Sequence, residues 1–304
     1  MGVMSAHPRA RATASLLGLA LGDAFGSQFF VPANRPSLSA RLLPPGPWQW
    51  TDDTEMACSV HRVLTEHGVI DQDALATGFA VRHDFDRGYG PATNRMLRLV
   101  REGGDWRALA DELFDGQGSW GNGAAMRVAP LGAWFAGDLP QAVRQAALSA
   151  RVTHTHPEAV AGAIAVAVAT ALTVAEPGLP AGHFLDRVAE RVPAGLVHDG
   201  LAEARQLLTI GDPVLAARML GNGRQVSAHD TVPFTLWVAA RHRHDVEAAL
   251  WTAAAAGGDV DTTCAIVGGI VAAGEHVSLP REWTRRCEPL PGWAGIPNLP
   301  SDGG

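Results

Sequence analysis

Apolar residues along this chain recur at helical spacing, and nowhere is there a sustained apolar/polar alternation of the kind that marks a half-buried strand. The pattern predicts helices near 10–26, 53–67, 72–82, 91–101, 105–112, 122–134, 139–150, 157–175, 180–190, 195–209, 213–219, 230–240, 245–256 and 261–274. Many of these runs are rich in Ala and Leu, which are strong helix formers. Glycine and proline clusters punctuate them at Pro44-Pro45-Gly46-Pro47, Gly88-Tyr89-Gly90-Pro91, Gly116–Gly123, Gly221-Asn222-Gly223 and Gly257-Gly258. No repeat and no low-complexity linker interrupts the series. The expectation is therefore an all-α protein with one domain over residues 1–290 and an irregular Pro/Gly-rich tail over 291–304.

Composition narrows the function. With 47% hydrophobic and 18% charged residues in 304, the chain can bury a sizeable core. Its net charge is -7 and it contains no lysine, so Schiff-base and P-loop lysine chemistry are both excluded. Without a basic run, extended nucleic acid is not an expected partner. Cys58, Cys264 and Cys287 form no CxxC pair and read as free, mostly buried thiols in a reducing compartment. Arg9 and Arg11 precede an apolar stretch, Ala14–Leu21, that imitates a short signal peptide. Asp23 interrupts it and the run is too short to span a bilayer, so a cytoplasmic protein without a membrane partner is expected.

Two acidic clusters then stand out, Thr51-Asp52-Asp53-Thr54 and Gly257-Gly258-Asp259-Val260-Asp261-Thr262, each at the mouth of an apolar helical run. Carboxylates with threonine hydroxyls make the all-oxygen donor set that hard divalent cations prefer. Unpaired carboxylates beside a core are costly, and a shared metal site resolves that cost. The alternative is helix capping, since Thr and Asp are favoured N-caps. Glycine-rich turns that open helices, such as Gly118–Gly123, can present backbone N–H groups to an anion.

Read in order, the motifs become specific: Leu21-Gly22-Asp23-Ala24-Phe25-Gly26, Trp50-Thr51-Asp52-Asp53-Thr54, Arg87-Gly88-Tyr89-Gly90, Gly118-Ser119-Trp120-Gly121-Asn122-Gly123-Ala124-Ala125-Met126-Arg127, Thr153-His154-Thr155-His156-Pro157 and Gly257–Thr262. From about Leu17 to Ala273 the chain resembles the ADP-ribosylglycohydrolase family, which includes the hydrolase acting on ADP-ribosylated dinitrogen reductase. The resemblance implies an all-α fold around a cleft with two divalent cations, Mg2+ or Mn2+. Their implied ligands are Thr51, Asp52, Asp53, Asp259, Asp261 and Thr262, with Asp52, Asp53 and Asp261 central to catalysis. It further implies that Tyr89, Gly90, Ser119, Trp120, Gly121, Asn122, Gly123 and His154 meet the substrate. Tyr89 has an alternative as a core aromatic with a satisfied hydroxyl, and Asn122 as an organiser of its own turn. His154-x-His156 lacks a third soft ligand for zinc. Asp23 reads as a carboxylate that fixes a neighbouring loop.

The implied activity is hydrolysis of the glycosidic bond between ADP-ribose and an acceptor, on a protein or a small molecule. Two departures qualify it. Eight residues after Gly22, where many members carry a glutamate, this chain has Phe30, and Val260 stands where threonine is common. Asp84, Asp86 and Glu55 are candidate substitutes for the glutamate, or the metal-activated water suffices. The alternatives are a non-catalytic ADP-ribose binder and a hydrolase of small ADP-ribosyl or nucleoside conjugates. A crystallin-like structural role conflicts with the intact acidic clusters.

Overall fold

A computed structural model describes residues 7–296, and every regular element among them is helical. The chain opens with α1 (Pro8–Ser27), a short α2 (Arg35–Ala40), α3 (Asp52–His67), α4 (Gln72–Arg82) and α5 (Pro91–Arg101). Then come α6 (Trp106–Asp111), the single turn α7 (Leu113–Gly116), α8 (Gly123–Met126), α9 (Ala129–Trp134) and α10 (Leu139–Arg151). The centre holds α11 (Pro157–Ala175), α12 (Ala181–Ala189), α13 (Leu196–Gln206) and α14 (Pro213–Leu220). The series closes with α15 (Ala228–Arg241), α16 (Val246–Ala255), α17 (Val260–Ala272) and a last turn, α18 (Arg281–Thr284). The all-α expectation holds.

Local chemistry explains the boundaries. Asp71, Asp138 and Asp245 each accept a backbone N–H from the first turn of the helix they cap, satisfying a donor that has no intrahelical partner. Gly68 ends α3 in a left-handed conformation, φ 74°. The predicted helix over 122–134 is two helices, α8 and α9, because the turn opens at Arg127 and Val128 (φ -101° and -100°) and Pro130, at the second position of α9, has no N–H to continue the ladder. The predicted 195–209 helix ends at Gln206 and passes into a 3-10 turn, Leu207–Thr209. The pattern does not anticipate α2, α7 or α18.

α11 runs through the middle of the fold, and Ala159–Thr173 is buried without interruption. It is long and apolar enough to cross a membrane, yet 83% of its apolar window is covered by the protein, as a central core helix requires. The first and last long helices, α1 and α17, lie side by side and run in opposite directions. Gly18, Gly22 and Gly26 face Ala272, Cys264 and Val260 in turn, so close that a Cβ at Gly22 would collide with the Cys264 carbonyl. Ser15 Oγ donates to Gly269 O at 2.7 Å across the same contact. This pairing brings the two acidic clusters together.

The C-terminal segment is anchored where it is described. Arg87 makes a bidentate ion pair with Glu288 (2.8 and 2.9 Å) and stacks on Trp50. Gly292–Ala294 forms a 3-10 turn that puts the Trp293 ring beneath Arg82. Residues 297–304 of the expected irregular tail lie outside the described residues.

Candidate metal centre and cleft

The N-termini of α3 and α17 converge on the floor of a cleft of about 530 Å³. Asp52 and Asp53 are the first two residues of α3, Asp259 caps α17, and Asp261 and Thr262 lie in its first turn. All five line the cleft, joined by Gly90, Ser119, Trp120, Gly121, Asn122, Gly123 and His154. No arginine is among the lining residues.

Asp23, on α1 between Gly22 and Gly26, is the bracket beneath this floor. Its Oδ2 accepts from Thr51 N (2.8 Å), Thr54 N (3.1 Å) and Thr54 Oγ1 (2.6 Å), and its Oδ1 accepts from Thr51 Oγ1 (2.9 Å). Oxygen atoms of Asp23, Asp53 and Asp261 lie within 4.8 Å of one another. Three of these four hydrogen bonds fall on Oδ2, so Asp23 positions the start of α3, while its Oδ1 has a single donor and the carboxylate stays close enough to Asp53 and Asp261 to share a cation with them. Asp53 differs. Its Oδ2 lies 3.1 Å from Thr51 Oγ1 and shares that hydroxyl's single proton with Asp23, and its Oδ1 is buried with no partner in the protein.

Burial, then the neighbouring carboxylates, makes these acids hard to ionise together. Desolvation, reinforced by Asp23, pushes Asp52 up to about 8. Desolvation also dominates at Asp53, Asp261 and Asp259, raising the first two well above the carboxylate range. Only protons or cations can relieve such crowding. An orphaned buried oxygen, several carboxylates, a threonine hydroxyl and no competing arginine together fit a hard divalent cation.

A second layer orients the donors. Asn122 Nδ2 donates to Asp259 Oδ2 (2.7 Å) and to Thr231 Oγ1 (3.1 Å), so this side chain does more than organise its own turn. The glycine-rich loop is also bridged to Ser227 and receives Ala228 N–H at Trp120 O. Three of its N–H groups are satisfied internally: Gly118 by Leu113 O, Gly121 by Ser119 Oγ and Asn122 by Val226 O. The expected row of free N–H donors is thus partly consumed. The glycines serve close packing instead, since a Cβ at Gly123 would lie 2.8 Å from the His154 ring.

Two expected site residues sit elsewhere. The Tyr89 side chain is 5% exposed and donates its hydroxyl to Glu55 Oε2 at 2.7 Å, which is the core-aromatic alternative. Thr51 caps α3 behind the floor, its hydroxyl committed to Asp23 and Asp53. The proposed substitutes for the missing glutamate also fall away. Glu55 is occupied by Tyr89 and Asp84 N–H, and neither it, Asp84 nor Asp86 lines the cleft. Phe30 is 49% exposed in the turn after α1 and does not line it either.

Other lining residues went unread. Met56 and Met126 pave the floor, while Phe114 and Val226 stand at the rim with 55% and 58% exposure. Both rim residues adopt left-handed backbone, φ 54° and 53°, which is strained for non-glycine residues. Asp115-Gly116 was the one turn signal near Phe114.

Comparison with known proteins fits this geometry. Residues 4–302 match the ADP-ribosylglycohydrolase family profile. An uncharacterized protein of Archaeoglobus fulgidus is 32% identical over 286 residues, covering 88% of each chain. The human ADP-ribosylhydrolase ARH3 is 28% identical, covering 93% of this chain and 91% of its own. A solved structure described as an ADP-ribosylglycohydrolase-related protein complex superposes with a TM-score of 0.67 at 26% identity, covering 93% of both chains. With an acidic cleft assembled from the two ends of an all-α fold and a profile that spans nearly its whole length, this chain belongs to the ADP-ribosylglycohydrolase family.

Proposed function

We propose that the protein hydrolyses the glycosidic bond joining ADP-ribose to an acceptor, with two divalent cations, Mg2+ or Mn2+, held by Asp52, Asp53, Asp259, Asp261 and Thr262. One observation carries the reading: four carboxylates meet in a cleft without a single lining arginine, and one buried oxygen, Asp53 Oδ1, has no partner. A pyrophosphate-bearing substrate would add negative charge to that cleft, so cations are needed to satisfy both sides at once. Bound there, they supply positive charge to substrate oxygens and lower the pKa of water. The protein's own groups do the rest. Asn122 fixes Asp259, Asp23 fixes the start of α3, and the carboxylates favour the positive charge that develops at the anomeric carbon of an oxocarbenium-like transition state. The exposed rings of Trp120 and Phe114 offer flat apolar faces on which a nucleobase can stack.

The test is a panel of ADP-ribosylated substrates with arginine, serine, nucleobase and O-acetyl linkages, each assayed with Mg2+ and with Mn2+. Turnover of at least one linkage, abolished by Asp52→Ala and by Asp261→Ala, is the expected result. Undiminished turnover in both variants would sink the proposal. Phe30 supports a second reading, a non-catalytic ADP-ribose binder, because no other carboxylate in the cleft takes the missing glutamate's place apart from the metal-binding set. Metal-dependent ADP-ribose binding in calorimetry, with no product from any linkage, would select it.

A further inference from the structure

Beneath the cleft floor lies a positive charge that neither the metal set nor the substrate loop accounts for. Arg127 follows α8 directly and its side chain is fully buried. Among the described residues no carboxylate forms an ion pair with it, although buried charges are normally paired. Its Nη2 donates to Ser149 O at 2.8 Å, its Nη1 donates to Thr153 Oγ1 at 2.9 Å, and its guanidinium lies 4.6 Å from the centre of the Phe79 ring. Thr153 Oγ1 is in turn 2.6 Å from Nδ1 of His154, a residue that lines the cleft.

The direction of this chain follows from donor inventory. An arginine can only donate, so Thr153 Oγ1 accepts from it. The threonine hydroxyl still has its own proton, and the His154 Nδ1 is its one acceptor among the described contacts. Nδ1 is therefore unprotonated and the ring proton resides on Nε2. The Nε2 edge sits against the glycine loop, where a Cβ would come within 3.1 Å at Gly121 and 2.9 Å at Gly123, and it bonds to no described residue. We propose that Arg127 is a positioning residue which, through Thr153, holds His154 as the neutral Nε2–H tautomer and so presents one fixed hydrogen-bond donor to the cleft. The donor suits an oxygen of the substrate's phosphate or ribose, and it keeps His154 out of proton transfer. Burial pushes the imidazole down to about 3, in keeping with a ring that stays neutral.

A plainer role for Arg127 exists, because Ser149 O belongs to the last turn of α10 and a cation there offsets the helix dipole. Thr153→Val separates the two. It leaves the bond to Ser149 intact and removes the hydroxyl that joins Arg127 Nη1 to His154 Nδ1. The identification of the substrate rests on the proposed hydrolase reading, but the tautomer does not.

The experiment is imidazole 15N NMR at pH 7 on the full chain, with the His154 signals identified by their loss in His154→Gln. Wild type is expected to show Nε2–H alone, Thr153→Ser to keep it, and Thr153→Val to shift His154 toward the Nδ1–H form or a mixture. In the kinetic arm, Thr153→Val raises KM for the ADP-ribosyl substrate about tenfold, the effect of one lost hydrogen bond, and Thr153→Ser restores it. A wild-type ring protonated on Nδ1 overturns the proposal whatever the variants do, as does Thr153→Val with an unchanged tautomer. If no ADP-ribosyl substrate turns over, the hydrolase reading fails and the NMR arm still decides which tautomer Thr153 imposes on His154.

Discussion

Asn122 Nδ2 donates to Asp259 Oδ2 at 2.7 Å, tying the glycine-rich loop to the N-cap of α17. One side chain thereby joins the glycine-rich wall of the cleft to its acidic floor. Asn122→Ala should loosen both together, lowering Mn2+ affinity by about tenfold to a hundredfold, as loss of an outer-shell partner commonly does. Titration calorimetry with Mn2+ checks this, and a variant with wild-type affinity would remove Asn122 from the metal's support.

Asp53 carries the orphaned oxygen in the most crowded part of the cluster. Asp53→Asn should relieve like-charge crowding while deleting a ligand. In EDTA the variant is expected to melt above wild type. Saturating Mn2+, at about one hundred times its Kd, should stabilise wild type by about 2.7 kcal/mol and leave the variant nearly unmoved. Equal metal-induced shifts in the two proteins would contradict the assignment.

Gly22 touches the backbone of α17 where no side chain fits. Gly22→Ala should cost about 1–3 kcal/mol in urea unfolding through overpacking, or prevent folding. Gly178, where an added methyl group would meet nothing within 4 Å, is the control, and Gly178→Ala should be close to neutral. Similar losses at both positions would argue against close helix contact as the cause.

His61 is buried on α3 beside Thr13, and desolvation pushes its pKa down from 6.5 to about 4. Between these values the unfolded chain binds a proton that the native state refuses. Its contribution to stability is therefore complete above pH 6.5 and is lost as pH falls toward 4. Urea unfolding of metal-saturated wild type and His61→Gln across that window should give a flatter profile for the variant. Parallel profiles would show that His61 plays no part in the acid response.

Helix positions were legible because caps and prolines write them into the chain: Asp71, Asp138 and Asp245 at starts, Pro91 and Pro157 at first turns. The break at Arg127–Val128 falls between two apolar stretches, Ala124–Met126 and Val128–Trp134, whose spacing reads as one helix. The acidic residues announced the cleft, since five of the six expected metal ligands line it. Thr51 and Tyr89 show the limit of that reading, because a motif fixes where a residue stands and not which way its side chain turns. Phe114 and Val226 were invisible for another reason: left-handed backbone at a phenylalanine or a valine is imposed by tertiary contacts and has no residue code.

The glycine seam between α1 and α17 has a consequence in time. Its contacts join residues about 250 positions apart, as Ser15 and Gly269 do. On a ribosome the first acidic cluster emerges long before the second, and loops of this length close late. Metal competence should therefore arrive abruptly, when nearly the whole polypeptide is available. Cation binding then becomes a reporter of completed maturation, and a stalled nascent chain that ends before Gly257 should fail to acquire it.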